Sequence, residues 1–400
     1  MGFLLLHPFS ESMASGVRTL ELAKSLKKIG VEPIVFSPYE KTRINKDGIK
    51  VVNVPTLFSA LGIENTVYHI SRRVYYNRVL QRFVIKLSKK LASGKIQAAS
   101  RLLELFREFD LDIIQAEQDN AALLLLSMGS RLNLPVVLDL HGIWPEELLA
   151  AEAIRVNSKE WDDLQGLINH IVNNVDLTVA LSDAMKEYVL LHYDVESSRV
   201  TVVPPGGRIL LSEHDERPMP PRVVYAGIVS YRKHVDLFVR GMPYIKNWRS
   251  DVEFYITKKG DLLTSIQKLA QSLKVHPKYF WFTDFEKTLE FLSSCHVGVL
   301  PSTIDTSARI SMPSKLFDYL SVGLPVVVND VGGWTDIVKS NRVGMVTRDD
   351  PRDFARGVSE LLGTPSEMAE CGRRGIELIK KAYNWDVSAK LLAQSYKRLS

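Results

Sequence analysis

The chain is 400 residues long, 46% hydrophobic and 24% charged, ordinary globular proportions with room for two or three domains. Its apolar stretches, such as AALLLL at 121–126, fall far short of the roughly 20 residues that a membrane-spanning helix needs, and two cysteines, Cys295 and Cys371, exclude a disulfide framework. The net charge of +5 is uneven: residues 71–107 hold ten Lys or Arg against the single acid Glu104, so that segment carries +9 and the remainder −4. A lone basic segment on an otherwise acidic chain suggests a docking surface for something anionic.

In chain order, a short apolar run at 3–6 has no basic region ahead of it and meets Pro8 at once, so it reads as a first strand rather than a signal peptide. A polar loop ending at Ser15 and Gly16 follows, then a helical period (Val17, Leu20, Ala23, Leu26) stopping at Gly30, and a second strand in VEPIVFSP. Within the basic segment, Leu80, Phe83, Val84, Leu87 and Leu91 keep helical spacing, with Arg78, Arg82, Lys86, Lys89 and Lys90 on neighbouring faces. Short β-branched runs at 110–116, 134–142, 175–182 and 199–207 alternate with helical stretches, which implies a parallel sheet.

Residues 208–221 are polar and carry Pro218, Pro220 and Pro221, the composition of a linker. The alternation restarts with strands expected at 222–229, 252–257, 278–282, 296–302, 324–330 and 343–347. The expectation is an α/β chain of two Rossmann-like, doubly wound parallel-sheet domains, 1–207 and 222–383, facing a central cleft. A final helix at 384–400 packs back on the first. Open α/β sheets bind ligands at their strand C-terminal ends.

Four places suit chemistry. Pro313 and Ser314 start a helix with Leu316, Tyr319 and Leu320 on its buried face, and Gly323 ends it. Its unpaired N–H groups and Lys315 suit a phosphate, and Asp318 suits two vicinal ribose hydroxyls; an ordinary capped helix has the same pattern. In the loop after the 222–229 strand, Arg232 and Lys233 suit a diphosphate clamp, the arginine as a fork and the lysine as a point charge, although a loop lysine is also commonly just solvated. Gly16 stands between strand and helix as in phosphate loops, but without G-x-G-x-x-G spacing. His141, at the end of a strong strand, suits a polar substrate or a shared proton, or simply closes a turn. Nine histidines with no H-x-x-x-H pair, and cysteines with no C-x-x-C, leave no metal expected. Asp162/Asp163 and Asp349/Asp350 read as surface.

Taken together, these stretches resemble a retaining GT-B glycosyltransferase of the family 4 type, the glycosyl transferases group 1. SGVRTLELAKSLKKIGVEPIVFS resembles its first loop and helix, and VVLDLHG its strand ending in histidine. VALSDAMKEYV with VTVVPPGG resembles its interdomain approach. YAGIVSYRKHVDLFV is similar to its lysine loop, KLFDYLSVGLPVV to its nucleotide-binding helix, and YNWDVSAKLLAQSYKRL to its closing helix.

The resemblance implies a sugar transfer from a nucleotide-sugar, UDP- or GDP-linked, to an unidentified hydroxyl acceptor, with no cofactor and no metal. It implies that Lys233 holds the diphosphate from the loop that opens at Gly227, and that Asp318 holds the ribose. Backbone N–H groups of Ser314, Lys315 and Leu316 would meet the distal phosphate, Ser15 and Gly16 would approach it, and His141 would contact the sugar. Two departures stand out. Ile228 replaces the family's arginine, with Arg232 four residues on as a substitute charge. In the family's E-x(7)-E pair, Ile310 replaces the first Glu and Asp318 the second, leaving Asp305, Arg309 or Ser311 to read the sugar.

Lipid-linked acceptors are common in the family, so residues 71–107 suit an anionic membrane surface, or equally a solvated basic helix. Nucleic acid is not expected. The location expected is cytoplasmic, peripheral on the membrane's cytoplasmic face. Two other functions stay open: a catalytically silent nucleotide-sugar-binding subunit, and another GT-B enzyme such as an epimerase or phosphorylase.

Overall fold

Strands form where β-branched runs are bounded by Gly, Pro or Asp, and consecutive runs are too far apart in sequence to pair except through helical crossovers. The computed structural model describes residues 1–6, 14–38, 42–44, 47–54, 95–208 and 217–399. Its contacts divide the chain into two units, Met1–Pro204 with Ser388–Ser400, and Pro205–Val387. The helix predicted over 80–91, with the cations placed on its faces, lies outside the described residues.

The first unit holds β1 (Gly2–Leu4), β2 (Ile34–Ser37), β3 (Arg43–Ile44), β4 (Lys50–Asn53), β5 (Ile114–Glu117), β6 (Val136–Asp139), β7 (Leu177–Ala180) and β8 (Val200–Val202). They lie in the order β3-β4-β2-β1-β5-β6-β7-β8, parallel apart from β3, which runs antiparallel to β4 at the edge. The sequence reading named neither β3 nor β4, whose apolar runs are only one and two residues long. Every residue of β1, β5, β6 and β7 is buried, as expected when helices cover both faces of a parallel sheet. Ser182 caps the helix Asp183–His192 by accepting from Met185 N–H at 3.0 Å, which closes the turn from β7 into that helix. Because β1 pairs with β2 on one side and β5 on the other, the winding reverses there.

The second unit holds β9 (Arg222–Tyr225), β10 (Glu253–Thr257), β11 (Lys278–Phe280), β12 (Val297–Val299), β13 (Val326–Asn329) and β14 (Gly344–Thr347), all parallel in the order β11-β10-β9-β12-β13-β14. One face buries Phe238, Met242, Phe254 and Phe354, the other Leu316, Phe317, Tyr319, Leu324 and Trp334. Burying each such side chain contributes about 1.5–3 kcal/mol. Here the winding reverses at β9, between β10 and β12.

The strands are mostly shorter than the runs read from the sequence, and two of the shifted boundaries bear on the site. The 222–229 strand stops at Tyr225, because Ala226 N–H donates to Tyr319 Oη at 2.7 Å and Gly227 N–H to Thr257 Oγ1 at 3.0 Å, which takes both out of the ladder. Residues 205–208 and 217–221, divided by the sequence reading between the first domain and a linker, belong to the second unit. Gly207 N–H donates to Tyr383 O at 2.8 Å, and the Arg217 guanidinium to Gly323 O at 2.6 Å. A polar, proline-rich composition does not reveal that its backbone groups find partners far away in sequence.

Candidate functional site

In the second unit, the switch point brings together two segments that are about ninety residues apart in sequence. A Cβ built on Gly227 would lie 2.8 Å from Lys315 Cε and 2.8 Å from Tyr225 Oη, so the loop after β9 passes directly against the Lys315 stem. Tyr319, buried on the helix Ser314–Ser321, holds that loop from beneath through Ala226 N–H. No side chain caps this helix, whose N-cap is Pro313; Leu316 N–H donates to Pro313 O at 3.0 Å, which leaves the N–H groups of Ser314 and Lys315 for another acceptor. Leu316 is fully buried and its N–H is already engaged by Pro313, so of the three N–H groups expected at the phosphate only those of Ser314 and Lys315 are open to one.

Lys315 and Asp318 are half-buried one turn apart. Burial lowers the Lys315 ammonium, with Asp318 opposing; burial likewise raises Asp318 to about 6, against the pull of Lys315 and Arg208. The Arg208 guanidinium lies 4.4 Å over the Phe285 ring.

Beyond Gly227 the chain makes a short turn, Tyr231–Lys233, and enters the helix Val235–Trp248. Arg232 is tied to the loop after β12: its guanidinium donates to Ser307 Oγ at 3.1 Å, and its carbonyl accepts from Thr303 Oγ1 at 3.3 Å. Asp305 caps the helix Thr306–Ile310 by accepting from Ala308 N–H at 2.8 Å, and Ser311 Oγ donates to Ala308 O at 2.8 Å. Both are therefore occupied locally, and Ile310 is buried. Arg309 passes near Gly332, whose built Cβ would be 3.8 Å from Arg309 Cγ.

In the first unit, Ser15 and Gly16 are not a loop before the helix. The helix Ala14–Lys28 already includes them, buried in its first turn, and Ser15 O accepts from Thr19 Oγ1 at 3.0 Å. Helix ends shift easily by one or two residues, and the Ala-Ser-Gly run contains nothing that forbids the helical conformation.

His141, just beyond β6, sits in a buried charged network. Its Nε2 is 3.1 Å from Glu117 Oε2 and 3.6 Å from Asp139 Oδ2, and Gln118 Nε2 lies 3.4 Å from its Nδ1. Among the described residues, Nε2 and Oε2 have no aligned hydrogen-bond partner, so their approach is an ion pair. The Arg18 guanidinium donates to both oxygens of Asp139, at 2.8 and 3.2 Å, and to Val203 O at 3.0 Å. Gln115 Nε2 donates to Glu117 Oε1 at 2.9 Å and Asp139 Oδ2 at 3.3 Å, while its Oε1 accepts from Tyr396 OH at 2.5 Å.

Charge balance decides the state of the ring. Two buried carboxylates face one guanidinium, and a protonated imidazole neutralises the remainder. Burial opposes that charge, but Asp139 and Glu117 together outweigh it and raise His141 to about 9. Burial would also raise Asp139, yet Arg18 and His141 hold it down at about 2.

Glu117, Asp139 and His141 present ligand atoms within 4.8 Å of one another, a grouping hidden from sequence spacing because it joins two strand ends. The donor set suits a cation poorly: Arg18 already engages both oxygens of Asp139 and repels a second positive charge. The sequence reading missed Arg18, Gln115, Glu117 and Tyr396. The available signal was polar residues, Gln115, Glu117 and Asp139, at the ends of otherwise apolar strands.

Comparisons with known proteins agree with this architecture. The family described as Glycosyltransferase Family 4 matches residues 15–206, and that described as Glycosyl transferases group 1 matches 220–364. The chain belongs to this family of glycosyltransferases. An uncharacterized glycosyltransferase of Methanocaldococcus jannaschii is 25% identical over 178 residues, 44% of each chain. The matches span about half the length of such curated relatives.

Among solved structures, sucrose-phosphate synthase from Thermosynechococcus elongatus superposes with a TM-score of 0.74 at 14% identity, covering 100% of this chain and 98% of that one. Anabaena HepE in complex with UDP-glucose gives a TM-score of 0.72 at 13% identity, covering 100% of both. The fold is GT-B. No helix among the described residues is long and apolar enough to cross a membrane.

Proposed function

We propose that the protein transfers a sugar from a UDP- or GDP-linked donor to a hydroxyl acceptor, with retention of configuration and without a metal ion. The observation that carries this reading is the meeting of Gly227 and Lys315 beside a helix whose N-terminus no side chain caps, at the switch point of the second unit. A loop held this close to a lysine and to the uncapped N–H groups of Ser314 and Lys315 suits a diphosphate. HepE, of the same fold, is described in complex with UDP-glucose.

On this reading Lys233, Arg232, Lys315 and the N–H groups of Ser314 and Lys315 hold the diphosphate, and Asp318 accepts from the ribose hydroxyls. Stabilising charge on the departing diphosphate is then the largest catalytic contribution, supplied by fixed cations and dipoles. His141 contacts the sugar and does not act as a base, because the two carboxylates beside its Nε2 raise its pKa and keep the ring protonated. The acceptor is a glycan, a lipid-linked molecule or a small molecule, and residues 71–107 attract an anionic membrane on the cytoplasmic side.

Buried Ile310, where the family carries a glutamate, favours a second reading: a subunit that binds nucleotide-sugar without turning it over. Incubation with UDP-, GDP- and ADP-sugars and candidate acceptors, following nucleotide diphosphate release, separates the two. Release supports transfer; binding without release across the panel supports the silent subunit. Activity that EDTA abolishes and Mn²⁺ or Mg²⁺ restores would overturn metal independence.

A further inference from the structure

Immediately after Lys233, His234 adopts φ 43°, ψ 38°, a left-handed conformation that side chains other than glycine rarely take. A non-glycine residue persists there only when its surroundings hold it. The holding contacts are on the ring: Nδ1 is 3.0 Å from Asp236 Oδ1, and Nε2 is 3.0 Å from Asp349 Oδ1. The first carboxylate is in the opening turn of the following helix; the second is in the loop after β14. Asp349 Oδ1 also accepts from Asn329 Nδ2 at 3.1 Å, and Asn329 is bonded both to Ser302 N–H at 2.9 Å and to Ser302 O at 2.8 Å. The contacts of one imidazole thus join the loop after β9 to the ends of β12, β13 and β14.

We propose that His234 is a positioning residue: clasped between Asp236 and Asp349, it fixes the backbone that presents Lys233 to a diphosphate, and it does so fully only as an imidazolium. A neutral imidazole has one N–H, whereas both ring nitrogens here face oxygens that only accept when ionised, so the clasp needs two donors. The hydrogen bond to Asp236, with Asp349 adding to it, raises the His234 pKa above its ordinary value, against a smaller effect of burial.

The other charged groups on the elements around it are engaged as well, Arg240 by the second oxygen of Asp236 itself. Arg240 Nε is 3.6 Å from Asp236 Oδ2, and Arg348 Nε is 3.6 Å from Asp353. Asp350 caps the helix Pro351–Gly363, and Asp330 accepts from Gly332 N–H at 3.0 Å and Thr335 Oγ1 at 3.1 Å. The inference rests on the reading of Lys233 as a diphosphate contact.

The test is calorimetric binding of UDP, GDP and inorganic pyrophosphate to the full chain from about pH 6 to about pH 9 at low salt, for wild type, His234→Gly and Asp349→Asn. Glycine tolerates the left-handed backbone, so that variant loses the clasp without new strain. Affinity is read as the difference between wild type and His234→Gly at each pH, because a nucleotide's terminal phosphate titrates in the same range. Wild type is expected to bind about tenfold tighter at the acid end, with the advantage vanishing as His234 deprotonates and Asp349→Asn falling between. Equal affinities at every pH, with thermal melts showing His234→Gly folded, would overturn the role of His234. Failure of wild type to bind any of the three probes would instead overturn the donor site itself.

Discussion

A lysine in a loop and a histidine at a strand end mean little until their partners are known, and the two residues carry different predictions. Lys233→Ala is expected to reduce turnover by more than about a hundredfold, a loss of about 3 kcal/mol of charge-assisted contact in the transition state, with folding unchanged. Nucleotide release under saturating donor measures it, and a near wild-type rate would remove Lys233 from the site. His141 predicts a dependence of stability on pH. Its folded pKa of about 9 lies above its unfolded value of 6.5, so its contribution is complete below about pH 6.5 and is lost as pH rises through about 9. The contribution is at most about 3 kcal/mol. Urea midpoints across this window should fall for wild type and stay flatter for His141→Gln; parallel curves would mean that Glu117 and Asp139 do not hold the proton.

At the scale of elements, the helix Ser314–Ser321 and the loop after β9 act as one unit. Tyr319 reaches from the helix to Ala226 N–H, and Gly227 leaves space that Lys315 fills. Gly227→Ala must displace either the Lys315 stem or the Tyr225 hydroxyl, each 2.8 Å from the new methyl. The lysine is the more yielding, so the expected result is a loss of nucleotide affinity of about tenfold with about 1–3 kcal/mol of destabilisation. Calorimetry with UDP or GDP and a denaturation curve report the two parts separately. A large stability loss with unchanged affinity would mean that Tyr225 moves instead. The helix itself was legible from its amphipathic spacing, but its contact with a loop ninety residues away was not, because periodicity reports which face is buried and not against what.

Across the whole molecule, the helix Trp385–Tyr396 belongs from Ser388 onward to the first unit, far from it in sequence. Ser388 Oγ donates to Pro204 O at 2.8 Å, and Tyr396 OH reaches Gln115, 281 residues away in sequence. Tyr396→Phe leaves the buried Gln115 carbonyl oxygen without this donor and should destabilise the protein by about 1–3 kcal/mol, seen as a lower urea midpoint. An unchanged midpoint would show that Gln115 finds another partner. The basic segment carries the second prediction at this scale. Vesicles containing anionic lipid should bind the protein and release it as salt rises past the point where the Debye length is about 8 Å. Replacing Arg78, Arg82, Lys86 and Lys90 with Glu should abolish co-sedimentation; equal sedimentation of both proteins would end the membrane reading.

By itself the sequence determined the fold class, because alternating β-branched and 3.6-period runs are local signals that each element carries whatever surrounds it. It also marked Gly227, Lys233, Lys315, Asp318 and His141 as positions worth inspecting. Only the tertiary structure decided that Gly227 lies against Lys315, and that His141 stands beside Glu117 and Asp139, whose charges raise its pKa. It decided, too, that residues 205–208 and 217–221 belong with the second unit. Each of these depends on groups far apart in the chain meeting in a buried, low-dielectric setting. There a neighbour's charge or a missing methyl outweighs local preference, and no window of sequence contains both partners.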